Sequence, residues 1–130
     1  MTTEKFSIEI TVPASAIDER NHVNNLSYLE WCLQAAETHW RIKASEEIRE
    51  QYVWYVLKHE IEYKSSAFEG EVLEVVTWVT SAEGVRSERR YEIFRKADGK
   101  KLVRARTQWC LLNGKTLKPT KIPEEIRNLF

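Results

Sequence analysis

Residues 17–42 read IDERNHVNNLSYLEWCLQAAETHWRI. Up to Val23 no hydrophobic period is sustained, which marks a loop. From Asn25 the apolar residues fall three and four apart: Leu26, Leu29, Leu33, Ala36 and Trp40, with Tyr28, Cys32 and Ala35 widening the stripe. This spacing predicts one helix over about residues 24–42, with Asn24 or Asn25 as its N-cap. The stripe is wide for a surface helix, so other elements must cover it.

Outward from this helix the chain reads as strands. Residues 5–12 alternate, with Phe6, Ile8, Ile10 and Val12 on one face, and Pro13 closes the strand. Residues 43–50 are charged and form either a second short helical turn or a surface excursion. Residues 52–63 and 71–80 are rich in β-branched and aromatic types and read as strands around a turn at Glu69-Gly70. Residues 85–96 alternate, with Val85, Tyr91 and Ile93 on one face. Asp98-Gly99 signals a hairpin into a last long strand over 101–112. Residues 124–130 read as a terminal helical turn. The order β–α–β–β–β–β predicts a single α+β domain over 1–130, in which an antiparallel sheet curls around one long central helix. A single curled sheet leaves an open edge, which invites a partner.

Composition narrows the function classes. The chain has 130 residues, 42% of them hydrophobic, enough for one core without staples. Lys plus Arg and Asp plus Glu each number 20, so no net charge draws the chain to nucleic acid or to an anionic membrane, and neither is expected as a partner. Cys32 and Cys110 lie in no metal-ligand spacing and are expected as two buried, reduced thiols. The opening MTTEKFSIEI lacks a basic region followed by an apolar one, and no apolar run approaches the length of a membrane span, so the expected compartment is the cytoplasm. No Gly-rich phosphate loop, Ser-His-Asp signature or metal cluster is present, and no metal or cofactor is expected.

The chemistry-bearing residues gather ahead of the helix. Asp18, His22, Asn24 and Asn25 set a carboxylate, an imidazole and two amides next to the free N–H groups and positive dipole end of a helix start. Such a place can stabilise a developing oxyanion. A carboxylate nearby can activate water or attack directly. Spacing alone also fits caps and turns.

The pattern Asp18-x-x-x-His22-Val23-Asn24-Asn25-x-x-Tyr28 resembles the motif of hot-dog thioesterases of the 4-hydroxybenzoyl-CoA thioesterase type. With Leu29-Glu30-Trp31 it is also similar to acyl-ACP thioesterases. The likeness continues more weakly through HEIEYKSSAFEGEVLEV at 59–75 and the strand ending TQWCLLN. The resemblance implies a hot-dog fold, hydrolysis of an acyl thioester and a homodimer, or a dimer of dimers, with sites at the interface. It gives Asp18 the role of nucleophile or water-activating base. It assigns the polarising N–H to the region of Asn25 and an accessory part to His22. Asn24 and Tyr28 would shape or contact the substrate site. The carrier would be coenzyme A first and acyl-carrier protein second; the reading from another class is a non-catalytic acyl-CoA binder. Relatives often carry Gly where Asn21 stands, an acid at Leu33 and an Arg at Ala36; these departures leave Asp18 in place.

Other polar residues have two readings each. Arg86, Arg89, Arg90, Arg95, Arg104 and Arg106 crowd two strands, interleaved with Glu88 and Glu92. They form either a solvated, salt-bridged outer face or a seat for the phosphates of coenzyme A; Lys64, Arg86 and Arg89 are the substrate-binding candidates among the cations. His59 is expected as a core or interface residue, Glu37 in an ion pair, and His39 as a cation suited to the helix C-terminus. Trp54, Trp78 and Trp109 are expected in the core or at a dimer interface.

Overall fold

The structure, a computed structural model, describes residues 4–130. Residues 1–3, where the reading of the N-terminal stretch begins, lie outside the described residues. Strand β1 spans Phe6–Thr11, and a 3₁₀ turn at Ala14–Ala16 follows Pro13. Helix α1 spans Asn25–Lys43. Its N-cap is Asn24, whose side chain accepts from the Leu26 N–H. The charged stretch after it becomes α2, Glu46–Gln51, capped by Ser45. Then come β2 Tyr52–Tyr63, β3 Val72–Glu83, β4 Arg86–Arg95, β5 Lys101–Asn113 and a short α3, Glu124–Arg127. β3 runs three residues beyond its expected end because it and β4 pair as far as Glu83 and Arg86 across a tight turn, where Gly84 takes a positive φ of 59°.

The five strands form one antiparallel sheet in the order β1-β3-β4-β5-β2. Register shifts interrupt the β2–β5, β3–β4 and β4–β5 ladders. Each is an irregularity that bends a strand and lets the sheet curl. The concave face meets α1 through Leu73 and Val75 of β3, Tyr91 and Ile93 of β4, and Val103 of β5, all fully buried.

The buried face of α1 differs in phase from the leucine stripe. Tyr28, Trp31, Cys32, Ala35, Ala36 and His39 are buried, whereas Leu26 is 67% exposed and Leu29 and Leu33 are half-buried. The small residues Cys32, Ala35 and Ala36 let the helix approach the sheet closely, which turns the leucines to its flank. A second, smaller cluster joins Leu111, Ile122 and Ile126 to Trp40 and Trp54 at the far end of the helix. Both cysteines are free and buried, and burial pushes the Cys32 thiol up to about 12.

Candidate active site

The loop before α1 is a compact hairpin. Ile17 and Val23 form an isolated antiparallel bridge. The Asp18 N–H donates to the His22 carbonyl at 2.8 Å, and the Asp18 carboxylate accepts from the N–H groups of Arg20 at 2.8 Å and His22 at 3.2 Å. Asn21 closes the turn with a φ of 64°, a left-handed conformation that Asn tolerates. Asp18 is thereby held at an exposed loop tip on a backbone that its own carboxylate braces.

That hairpin is fastened to the helix start. The Asn24 N–H donates to the Ala16 carbonyl at 2.8 Å, and the Ser27 N–H to the Asn24 carbonyl at 2.9 Å. With the Leu26 N–H on the Asn24 side chain at 2.8 Å, the Asn25 N–H is the one in this turn that finds no acceptor among the described residues. Behind the loop, the Val23 N–H donates to the Ala67 carbonyl and the Ala67 N–H donates to the buried Tyr28 hydroxyl at 2.8 Å. His22 packs edge-on against Phe68, with centroids 5.5 Å apart. The Tyr63 hydroxyl donates to the Asn25 carbonyl at 3.2 Å, which ties the end of β2 to the helix start.

The structure therefore brings Asp18, His22, Asn24, Asn25 and Tyr28 into one assembly. The Asn24 side chain is engaged as the helix cap, and the Tyr28 hydroxyl holds the Ala67 backbone. Lys64 is exposed and pairs with Glu62 at 3.2 Å. Arg86 is exposed at the opposite end of β4 from Arg95, roughly 30 Å of strand away. Arg95 lies beside this assembly instead: it donates to the Ser66 carbonyl and pairs with Glu71.

The arginine cluster divides. Arg104 and Arg106 pair with Glu62 and Glu60, and Arg106 also reaches Glu88, forming the salt-bridged outer face. Arg89 departs from it. It is 5% exposed and in phase with Tyr91 and Ile93, so it points inward. Its Nη1 donates to His39 Nδ1 at 3.0 Å and to Thr77 Oγ1 at 3.1 Å. His39 is accordingly not the surface cation expected at a helix end. Burial, with Arg89 beside it, holds its pKa down at about 4, and it is neutral near pH 7. Glu37 pairs with Arg41 one turn on, as expected. His59 is half-buried and bonds Thr107 Oγ1 at 2.8 Å.

A cavity of about 430 Å³ opens along the second half of α1, between Leu33, Trp40, Tyr52, Trp54, Trp109 and the C-terminal Phe130. Sequence reasoning did not assemble this cavity. Its walls come from α1, α2, four of the five strands and the segment after β5, and the leucine stripe read as core-facing in fact supplies part of its rim.

A long helix wrapped by a curled five-stranded antiparallel sheet, with a braced carboxylate loop at the helix start, defines a hot-dog domain. The family pattern of the thioesterase-like superfamily matches residues 12–130, and the chain belongs to that superfamily. Among curated relatives, the chloroplastic acyl-[acyl-carrier-protein] hydrolase FATB3 of Cuphea viscosissima is 32% identical over 85 residues, 65% of this chain and 21% of that protein. The chloroplastic palmitoyl-acyl carrier protein thioesterase of Arabidopsis thaliana is 34% identical over 83 residues, 63% of this chain and 20% of that protein. The chain spans about a fifth of the length of these relatives. A 1,4-dihydroxy-2-naphthoyl-CoA thioesterase from Synechocystis superposes with a TM-score of 0.85 at 21% identity, covering 97% of this chain and 95% of that one. A Staphylococcus aureus protein solved in complex with CoA gives 0.86 at 18% identity, covering 99% and 83%. These two likenesses carry the fold.

Proposed function

We propose that the protein hydrolyses acyl thioesters, with Asp18 as nucleophile or general base and the Asn25 N–H polarising the thioester carbonyl. The observation that carries this reading is the braced, exposed Asp18 carboxylate in a loop fastened to a helix start whose Asn25 N–H has no acceptor among the described residues. Water or the carboxylate adds to the carbonyl carbon, and the oxyanion gains the N–H and the positive end of α1. The thiolate then leaves; on the general-base route it takes up the proton that Asp18 drew from water, and on the nucleophilic route water opens the resulting anhydride to release the acid and restore Asp18. Coenzyme A is the first carrier; the matches to acyl-carrier-protein hydrolases favour a carrier protein as the second reading.

The working unit is a homodimer through β2. This strand is a sheet edge, and Val53, Tyr55 and Leu57 on it are 43%, 58% and 43% exposed. An apolar open edge is a template for a second copy. Antiparallel pairing about the middle of β2 sets Tyr52 of one copy beside Tyr63 of the other. Tyr52 lines the cavity, and Tyr63 bonds Asn25. The dimer thus carries the Asp18 loop of one copy to the cavity of the other.

Asp18→Asn tests the chemistry. The amide oxygen can still accept from Arg20 and His22, so the loop keeps its shape, but the variant can neither take a proton nor attack effectively. kcat should fall roughly 10²- to 10⁴-fold with a smaller change in KM. A folded variant with near wild-type turnover refutes the assignment. A wild-type protein that binds acyl-CoA and never releases thiol supports the non-catalytic reading.

A further inference from the structure

The cavity has a one-sided polar lining. Arg49, Arg89 and Arg127 all line it, and none pairs with a carboxylate among the described residues. Arg49 Nε and Arg127 Nε are buried without a hydrogen-bond partner among the described residues. The one acid in the lining, Glu37, is engaged by Arg41 at 2.9 Å, and the Ser87 hydroxyl donates to the Ser81 carbonyl. The remaining walls are aliphatic and aromatic.

Arg89 is the most telling of the three. A nearly fully buried guanidinium normally has an anion beside it, because burying an uncompensated charge is costly. Here both acceptors are neutral: the Thr77 hydroxyl and the His39 ring. Both are served by Nη1 alone, so the other guanidinium donors have no acceptor among the described residues. The Phe130 ring packs over the guanidinium, its centroid 5.2 Å from Cζ. Burial draws the pKa of Arg89 down to about 10, which leaves it a cation at neutral pH. The buried lining atoms without a partner among the described residues, Arg49 Nε, Trp109 Nε1 and Arg127 Nε, are all donors, and the apolar walls suit an acceptor carried on a carbon chain.

We propose that the cavity receives the acyl group and that Arg89 binds a carboxylate at its far end, making ω-carboxyacyl thioesters the preferred substrates and Arg89 the specificity-determining residue. This rests on the thioesterase reading for the reaction, but the selectivity of the cavity stands apart from it and is tested separately. A plain alkyl chain would leave the three arginines unanswered. A terminal carboxylate gains charge-assisted hydrogen bonds from the planar fork of Arg89, against otherwise apolar walls.

Two arms separate the claims. In the first, octanoyl-CoA and octanedioyl-CoA are compared as substrates. Wild type should favour the dioyl thioester by about tenfold or more in kcat/KM, the scale of one hydrogen bond to a charged group. Arg89→Met should collapse that ratio toward one. In the second arm, methyl octanoate and monomethyl octanedioate, whose carrier ends are masked, are titrated against the fluorescence of Trp40, Trp54 and Trp109, which line the cavity. The monomethyl diacid should bind about tenfold more tightly, and Arg89→Met should erase the difference. If no thioester turns over, the proposed reaction falls while the binding arm still decides the cavity. If Arg89→Met does not fold, Arg89→Lys, which keeps the charge but loses the fork, should lower the ratio. Equal or better handling of the alkyl ligand by wild type overturns the proposal, as does a ratio unmoved in a folded variant.

Discussion

Tyr28→Phe isolates one hydrogen bond on which the site's framework hangs. The Tyr28 ring is buried, edge-on to Trp31 with centroids 5.7 Å apart, and tilted against Tyr63 at the same separation. Phe preserves those contacts and removes a single oxygen, so no sizeable cavity opens. What is lost is the acceptor for the Ala67 N–H, 2.8 Å away, on a residue that is itself fully buried. A buried donor left without an acceptor costs about 1–3 kcal/mol. Taking about 2 kcal/mol, and about 3–5 °C per kcal/mol for a domain of this size, the melting midpoint should fall by about 6–10 °C. Urea titration should show a lower midpoint with an unchanged m-value, because the fold and its buried area are the same. The Ala67 carbonyl also receives the Val23 N–H, so amide exchange should quicken at both Val23 and Ala67. kcat should fall with it, because the Asp18 loop is anchored on that backbone. Destabilisation under about 0.5 kcal/mol with exchange at Ala67 unchanged would refute the reasoning.

Two further outcomes follow from the geometry. Paired Tyr55→Lys and Leu57→Lys substitutions put like charges on the β2 edge, and sedimentation should then show a monomer near 15.4 kDa with thioester turnover lost; a fully active monomer would remove the shared site. His39 faces Arg89, Glu4 and Lys43 and is held neutral with a pKa of about 4 against an ordinary 6.5, so between those values the unfolded chain binds the extra proton. Stability should therefore fall as pH drops from 6.5 to 4, by on the order of 2–3 kcal/mol from this group, and chemical denaturation of His39→Gln across the same range should show a visibly shallower slope.

The strands were legible in the sequence because a two-residue period on a half-buried sheet leaves a direct imprint: Phe6, Ile8 and Ile10, or Tyr91 and Ile93, announce their face one by one. The helix was legible in extent and start, since Asn24 caps it and the 3–4 spacing begins there. Its phase was not. A stripe of leucines and a stripe of Tyr28, Cys32, Ala35 and Ala36 run side by side, and hydrophobicity alone favours the bulkier one. The sheet instead takes the side with small residues, since close approach of helix to sheet buries more surface than long side chains held apart. Strand order lay beyond reach as well, because β1 and β2, neighbours of the helix in sequence, end on opposite edges of the sheet.

The site divides along the same physical line. Asp18, His22, Asn24, Asn25 and Tyr28 are contiguous in sequence, so a local motif could carry them together. The cavity is assembled from α1, α2, β2, β3, β4, β5 and the C-terminal segment, and no local pattern announces that. One signal did exist. In β4, residues 87, 89, 91 and 93 share a face, and the inward positions of Tyr91 and Ile93 oblige Arg89 to face inward with them. A charged residue in phase with a core face is costly to bury, so where it persists something on the inside must answer it. His39 and Thr77 answer in part, with neutral acceptors. The leucines turned to the flank of α1 and the unpaired apolar edge of β2 pose the complementary demand for apolar cover. A second copy on β2 and an acyl group in the cavity, its far end carrying the anion, would meet all three demands at once.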